Sequence, residues 1–276
     1  MPRRLFLHHF GPVSGLPVLH YRMEFAHLVR QAVQQIRPDA IAIELPPTLA
    51  APFRRALARL PQISLVSYPV KEADGRESSV HLLVEPADPL VEAGRLAMEL
   101  GIPLHFVDPD IDRYPRHREA LPDSYSIARI GLAAYYQAFC EATAAEIPCH
   151  ADRRREQGMA YALQQLGREH QRILFVCGMA HLQRVAELYD RPQAAPMARK
   201  QREGITLWNL HPECCGEVLA EFPFLSAVYE YRRHGLPDLP RERGNGLRKQ
   251  FHALELISGG RQELPEAEVM DAAIRR

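Results

Sequence analysis

The sequence predicts an α/β fold built on a mostly parallel open sheet. Short apolar runs alternate with amphipathic helical patterns, each run ends in an ionisable or polar side chain, and glycine or proline separates many of the segments. Seven runs are typical of strands: Arg4 to His9, Ala40 to Glu44, Ile63 to Ser67, Val80 to Glu85, Leu104 to Asp108, Ile173 to His181 and Ile205 to His211. If they are parallel, their carboxyl ends meet at one edge, where open α/β sheets bind ligands. That edge would collect His9, Glu44, Glu85, Asp108, His181 and His211.

The first half of the chain contains a predicted βαβ unit. The segment from Arg22 to Ile36 carries apolar residues at helical spacing, and Pro38 ends it. The isoleucine-rich run Ala40 to Glu44 is typical of a strand buried on both faces, and a helical pattern follows from Leu49 to Leu60.

A second unit follows along the chain. A strand at Val80 to Glu85 leads into a helix over Pro89 to Leu100, with Gly101 as its C-terminal cap and a strand at Leu104 to Asp108. The charged, proline-containing stretch from Asp108 to Pro122 predicts an irregular loop over the site.

The later segments predict a helical insertion and a return to the sheet. We expect helices over Ser124 to Ile147 and Asp152 to Arg168, and then a strand, glycine turn and helix from Ile173 through His181. We therefore predict one α/β domain over residues 1–235 with a helical insertion at about 110–150, and a C-terminal extension over 236–276. A closed (β/α)₈ barrel is the alternative, but the uneven strand spacing favours the open sheet.

Composition excludes several classes of function. Lys plus Arg and Asp plus Glu number 34 each, so no basic field favours nucleic acid. No apolar stretch approaches the roughly 20 residues of a membrane helix, and no signal peptide is evident, so we expect a cytoplasmic protein without a membrane partner. The five cysteines are odd in number and irregularly spaced, which argues against a disulfide framework.

Arg155 and His181 are candidate functional residues in the second half. In the segment from Cys177 to His181, Gly178 permits a sharp turn into a helix whose first amides favour an anion. Arg155 shares a helical face with Met159 and Leu163, and a guanidinium on an apolar stripe needs an anion. Glu44 and Asp108 are the nearest candidates by topology.

Candidates in the first half are Glu44 and the histidine pair His8 and His9. Glu44 ends an apolar strand, where it is either structural, catalytic or a metal ligand. A set of His9, Glu44 and His181 offers the donors for a divalent metal ion of unknown identity, or for general base catalysis on water. Since neighbouring strand residues alternate faces, one of His8 and His9 must point away.

Five segments in this order resemble the TraB, PrgY and GumN group and its relatives, the Tiki proteases, erythromycin esterases and ChaN. They are His8 to Pro12, Arg37 to Leu45, Glu99 to Asp108, Arg155 to Ala160 and Val176 to Leu182. The resemblance implies an EreA/ChaN type of sheet with a helical insertion. It also implies a site in which His8 or His9, Glu44, Arg155 and His181 are catalytic. His20 competes for the role of the first histidine, and we count His20 and Asp108 as substrate-binding residues.

The resemblance implies a hydrolase of ester or peptide bonds that acts on a small molecule or peptide, and it leaves open whether a divalent metal is required. In this hypothesis a histidine and Glu44 activate water, Arg155 fixes a carbonyl or carboxylate, and His181 stabilises the oxyanion. One alternative is a ChaN-type protein that binds haem or iron through tyrosines near the insertion or the loop from His105 to His117. Another is a regulator that recognises a peptide without cutting it. The C-terminal extension is the predicted surface for a homo-oligomer or protein partner.

Overall fold

Two sheets and a set of helices make up the part of the chain that the structure describes. The structure is a computed structural model, and it describes residues 5–71, 75–111, 114, 123–196 and 202–233. The strands in these ranges are β1 (His8–Phe10), β2 (Val13–Val18), β3 (Ala40–Ile43), β4 (Ser64–Lys71), β5 (Glu77–Val84), β6 (Leu104–Phe106), β7 (Ile173–Gly178) and β8 (Thr206–Asn209). The helices are α1 (Met23–Ile36), α2 (Ala50–Leu57), α3 (Pro89–Leu100), α4 (Ile127–Thr143), α5 (His150–Leu166), α6 (Met179–Tyr189), α7 (Cys215–Val218) and α8 (Pro223–Arg233).

The larger sheet has the strand order β1-β2-β7-β3-β6. Strands β2, β7, β3 and β6 are parallel, and β1 runs antiparallel to β2. The register pairs Val18 with Gly178, and Ile43 with both Val176 and Phe106. The carboxyl ends of these four strands therefore lie together at one edge, which confirms the predicted α/β fold with a mostly parallel sheet.

Strands β4, β5 and β8 do not join this sheet. They form a separate antiparallel sheet in the order β5-β4-β8, so the prediction that all seven runs are parallel strands of one sheet is wrong. Only residues 72–76 connect β4 to β5, and a parallel pairing needs a connection of a dozen residues or more. Two separate sheets among the described residues also rule out the closed barrel there.

Strand β2 was not predicted, because Gly15 and Pro17 interrupt its apolar pattern. All six of its residues are buried. A Cβ added at Gly15 would lie 2.5 Å from Leu182 Cδ1, so glycine allows α6 to approach β2 closely. Because β2 takes the place beside β7, the preceding strand β1 is turned back at Gly11 and becomes the edge strand.

The helices cover a strongly apolar core. Every residue of β3 is fully buried, as expected for a parallel strand with both faces covered. The helix predicted over Ser124 to Ile147 is present as α4, and Tyr135, Tyr136 and Phe139 are buried in the core. No helix in the described ranges has the length and apolar character needed to cross a membrane. The predicted C-terminal extension, 236–276, lies outside the described residues.

Candidate active site

Polar residues that follow the parallel strands meet at one edge of the larger sheet. The Glu44 amide donates to Val176 O (3.2 Å) and the Asp108 amide to Leu45 O (3.3 Å), which extends the strand alignment beyond the strands themselves. The Gly178 amide donates to Glu44 Oε2 at 2.6 Å. Glu44, Asp108 and Gly178 are thus fixed by backbone contacts, and the polar edge predicted from the sequence is formed by β2, β3, β6 and β7.

Arg155 occupies the centre of this edge. Its Nε lies 3.1 Å from both carboxylate oxygens of Asp108, and its Nη2 donates to Asp108 Oδ2 at 2.9 Å and to Glu44 Oε1 at 2.5 Å. Nη1 lies 3.5 Å from Asp152 Oδ1. Arg155, Glu44 and Asp108 are all buried. The predicted pairing of Arg155 with Glu44 and Asp108 is therefore what the structure contains.

The sequence of α5 explains how the guanidinium reaches this position. Arg155, Met159 and Leu163 are buried on one face of the helix. A Cβ added at Gly158 would lie 2.5 Å from Pro109 Cγ, so glycine lets α5 pack directly on the segment that follows β6. That close packing brings Arg155 beside Asp108.

His181 lies in the first turn of α6 and completes the buried network. Its Nδ1 is 2.8 Å from Glu156 Oε1, and its Nε2 is 3.1 Å from Arg155 Nη1 and 3.6 Å from Glu44 Oε1. Because Arg155 can only donate, the short contact assigns a neutral tautomer with the proton on Nδ1. Burial lowers the pKa of His181, but Glu44 and Glu156 raise this pKa by more. When His181 is protonated, its Nε2–H can interact with Glu44 Oε1, 3.6 Å away.

In either form His181 Nε2 is engaged within the network. The role predicted for His181, donating to a substrate oxyanion, is therefore not supported by this geometry. Arg155 is likewise committed to two carboxylates, so it holds the edge together and does not point a spare donor pair at a substrate.

The two carboxylates that share Arg155 have opposite pKa shifts. Burial disfavours ionisation of Glu44, but His181, Arg155, His20 and the Gly178 amide outweigh it and lower its pKa to about 2. Burial raises the pKa of Asp108 to about 6, against the lowering effect of Arg155. Two carboxylates around one cation commonly separate in this way, so Glu44 is the permanently ionised member.

His20 is the histidine that reaches solvent at this edge. It follows β2, and its side chain is 40% exposed. Its Nδ1 lies 3.8 Å from Asp88 Oδ2. A Cβ added at Gly178 would lie 3.7 Å from His20 Nε2 and 3.1 Å from Glu44 Oε2, so the imidazole and this carboxylate oxygen both approach Gly178. Surrounding atoms lower the pKa of His20 by desolvation, but Asp88 and Glu44 raise it by more.

The backbone beside His20 is strained. Tyr21 has a φ of 57°, in the left-handed region that aromatic residues rarely adopt. Its amide donates to Asp88 Oδ2 at 3.0 Å, while Asp88 Oδ1 caps α3 by accepting from Leu90 and Val91. Strain of this kind is retained where surrounding contacts fix a functional group, and here Asp88 fixes the turn that carries His20.

Helix α6 starts directly after the glycine whose amide donates to Glu44 Oε2. Gly178 is the N-cap residue of the helix and makes no side-chain cap hydrogen bond to its first turn. An uncapped helix start offers donors and a positive dipole end to an oxyanion. Together, an exposed imidazole, a carboxylate behind it and uncapped amides can activate water and stabilise a tetrahedral intermediate.

His8 and His9 do not reach this site. Residues His8 to Phe10 pair antiparallel with Gly15 to Val13, toward the amino-terminal end of β2, whereas His20 follows its carboxyl end. His9 Nδ1 is instead 3.0 Å from Ser14 Oγ. The expectation that one of these two histidines shares the site with Glu44 is therefore not met, because the chain reverses between β1 and β2.

Two other residues expected at the edge lie elsewhere. Glu85 follows β5 of the antiparallel sheet and accepts from Ser226 Oγ at 3.1 Å. His211 follows β8, is exposed, and its Nδ1 accepts from the Glu213 amide. Both predictions depended on a single sheet. Because β5 and β8 belong to the smaller sheet, neither residue follows a strand of the sheet whose edge holds Arg155.

The donor set does not fit the predicted metal centre of Glu44, His9 and His181. His9 is remote, Arg155 and the Gly178 amide take the oxygens of Glu44, and Glu156 and Arg155 contact the nitrogens of His181. In the described ranges no group of three or more His, Cys, Asp or Glu residues is arranged to hold a metal ion. We therefore assign no step to a metal.

Three candidate ligands of the haem alternative are buried or packed against another ring. Tyr135 and Tyr136 are buried in the core, and the half-buried His105 packs its ring on His170 at 5.3 Å. His117 lies outside the described residues. Haem binding stays a prediction of the resemblance, with no contact here that favours it.

Sequence reasoning missed three residues that support the site. Asp88 could have been found from the sequence, because it is an acidic residue directly before the proline that starts a predicted helix. Glu156 lies in the segment Arg155 to Ala160 that carries the resemblance, and it contacts both His181 and Arg184. Tyr114 lies in the predicted loop, and its ring packs on the Arg155 guanidinium at 4.9 Å.

Comparisons with known proteins add no relative. A scan against protein-family models finds no match to this chain. Searches of curated proteins and of solved structures find no match either. The resemblance to the TraB and GumN group thus rests on the five sequence segments, and the chemistry of the site rests on its own geometry.

Proposed function

We propose that this protein is a hydrolase of ester or peptide bonds in which His20 is the general base. The observation that supports this most is the position of His20: it is 40% exposed, with Asp88 on one side and Glu44 and Gly178 on the other. Imidazole is well suited to proton transfer near neutral pH. An EreA/ChaN type of fold, as the family resemblance implies, is part of the same proposal.

In the proposed reaction His20 Nε2 removes a proton from water, and the resulting hydroxide attacks the substrate carbonyl carbon. The first amides of α6, at Met179 and Ala180, stabilise the oxyanion. The imidazolium then returns the proton to the leaving alcohol or amine as the tetrahedral intermediate collapses. Asp88 and Glu44 stabilise the imidazolium, and their attraction is the reason that the pKa of His20 is raised.

The buried network has a separate task. Arg155 neutralises Glu44 and Asp108, and Glu156 holds His181, so the Glu44 carboxylate is fixed against Gly178. With Glu44 fixed in this way, its carboxylate keeps one position beside His20 Nε2. We therefore propose Arg155 and His181 as positioning residues.

The test compares His20→Asn with His9→Asn, because His9 is an exposed imidazole at the far end of β2. Wild type and both variants would be assayed on p-nitrophenyl acetate and butyrate and on a fluorogenic peptide library, with circular dichroism to check folding. We expect His20→Asn to lower kcat/KM by about 10²–10⁴, and His9→Asn to leave it within twofold. No hydrolysis by wild type, or equal activity in the His20 variant, would overturn the proposal.

A chelator provides a second test. Because Arg155 holds the acceptor oxygens of Glu44 and Asp108, dialysis against EDTA should leave the hydrolysis rate unchanged. Loss of activity that Zn²⁺ or Mn²⁺ restores would show that a metal displaces Arg155 in the active protein.

A further inference from the structure

Four carboxylates that the proposed reaction does not fully use interact with one another, and one of them, Asp88, lies 3.8 Å from His20 Nδ1. They are Glu24, Glu85, Asp88 and Glu221, and we call them the acidic cluster. Glu85 interacts electrostatically with Asp88 and Glu221, and Glu221 with Glu24. Four separate stretches of chain supply or hold these residues: the start of α1, the turn from β5 to α3, the segment before α8, and the turn before α4, where Tyr125 donates to Glu221 Oε2 at 3.0 Å.

The charge of the acidic cluster is not balanced within the described part of the chain. Arg22 Nη1 donates to Glu221 Oε1 at 3.2 Å, and His20 lies beside Asp88. No other cation of the described residues pairs with the cluster, although Glu85, Asp88 and Glu221 are each at most 4% exposed. Buried carboxylates normally have a cationic partner or several donors. Asp88 accepts from three backbone amides and Glu221 from Arg22 and Tyr125, whereas within the described ranges Glu85 accepts only from Ser226 and the Ala87 amide.

Two carboxylate oxygens in the cluster have no hydrogen-bond partner in the part of the chain that the structure describes. Glu85 is fully buried, and its Oε2 accepts from Ser226 while its Oε1 has no hydrogen-bond partner among the described residues. Glu24 Oε1 is also buried without a partner there. Such buried oxygens without a partner indicate that a hydrogen-bonding group is missing. Burial, together with the nearby Asp88, raises the pKa of Glu85 to about 8, so without a cation it holds a proton at neutral pH.

We infer that the acidic cluster is a subsite for a cationic group, an ammonium or guanidinium, carried by the substrate that His20 attacks. This inference rests on the proposed function. Asp88 joins the two regions, because its carboxylate contacts the Tyr21 amide and faces His20 while it interacts with Glu85. Arg22 and Tyr125 are each about 40% exposed and mark the side of the cluster that solvent reaches.

The chemistry favours a cation over a neutral polar group. An ammonium supplies three donors and a positive charge, so it satisfies the orphaned oxygens and lets Glu85 ionise beside Asp88 and Glu221. An anionic substituent would meet repulsion from every member of the cluster. The expected substrates are therefore esters or amides with an amine or guanidine a few bonds from the scissile carbonyl.

Binding can be tested without turnover. Agmatine and n-butylamine should raise the melting temperature of wild-type protein, and n-butanol at the same concentration should not. Glu85→Gln mimics the protonated carboxyl, so the variant should fold but lose at least three quarters of the agmatine shift. Glu217→Gln, which removes an exposed carboxylate of α7, should keep the shift.

Selectivity gives the second measurement. Wild-type kcat/KM for a lysine p-nitrophenyl ester should exceed that for the norleucine ester at least tenfold, and the ratio should approach one in Glu85→Gln. Hydrolysis of both esters at equal rates, without an agmatine shift, would overturn the cationic subsite and leave the role of His20 intact. An agmatine shift with no hydrolysis of any ester or peptide would instead overturn the proposed function.

Discussion

Replacing Arg155 by methionine should destabilise the protein far more than the same change at its neighbour. Arg155 is the cation between Glu44 and Asp108, with four contacts to their oxygens between 2.5 and 3.1 Å. Methionine keeps much of the length and apolar stem but leaves two buried carboxylates facing each other. Breaking a buried ion pair in this way costs about 3–5 kcal/mol.

The loss should depend on pH. Asp108 has a pKa of about 6 even with Arg155 present, so in the variant it takes up a proton that the unfolded chain releases at its usual pKa near 3.8. The folded variant then binds more protons than the unfolded chain, and its free energy of unfolding falls as pH rises from 5 to 8. For a chain of this size, 3–5 kcal/mol corresponds to a fall of roughly 6–20 °C in Tm.

Thermal and urea unfolding of Arg155→Met and Arg154→Met at pH 5, 7 and 8 would measure this. Arg154 is exposed on the same helix, so its substitution should change stability by no more than about 0.5 kcal/mol. The largest difference between the variants should appear at pH 8. Equal melting temperatures for the two variants at that pH would refute the reasoning that Arg155 neutralises the buried carboxylates.

Three further predictions concern the residues around this network. Asp88→Asn removes the charge that raises the pKa of His20, so the rise of hydrolysis with pH should move to lower pH; a pH profile of kcat/KM that does not move would contradict the role of Asp88. Glu85→Gln should make the free energy of unfolding less dependent on pH between pH 4.5 and 8. In the wild type this free energy falls as pH rises, because folded Glu85 keeps its proton while the unfolded chain releases it. Urea unfolding across that range measures the dependence, and an equal dependence in both proteins would contradict the prediction. Gly178→Ala places a methyl 3.1 Å from Glu44 Oε2, and should lower kcat/KM at least tenfold with little change in Tm; unchanged kinetics would mean that Glu44 does not need its present position.

Local sequence was sufficient where a residue follows a buried strand or sits on an apolar helical face. Glu44 and Asp108 were placed correctly because each ends a short apolar run that follows a predicted helix. Parallel strands align such ends at one edge of the sheet. Arg155 was assigned a carboxylate partner because an unpaired guanidinium among Met159 and Leu163 would cost several kcal/mol. Burial and charge alone dictate these contacts.

The sequence by itself therefore determined an α/β fold, a polar sheet edge and a buried guanidinium held by Glu44 and Asp108. Only the tertiary structure decided which histidine joins them. Strand β2 carries glycine and proline and has little local strand signal; it forms because β7 and α6 bury it. That pairing turns His8 and His9 away and brings His20 to the edge. Strand order depends on contacts between residues distant in the chain, which local propensity does not encode.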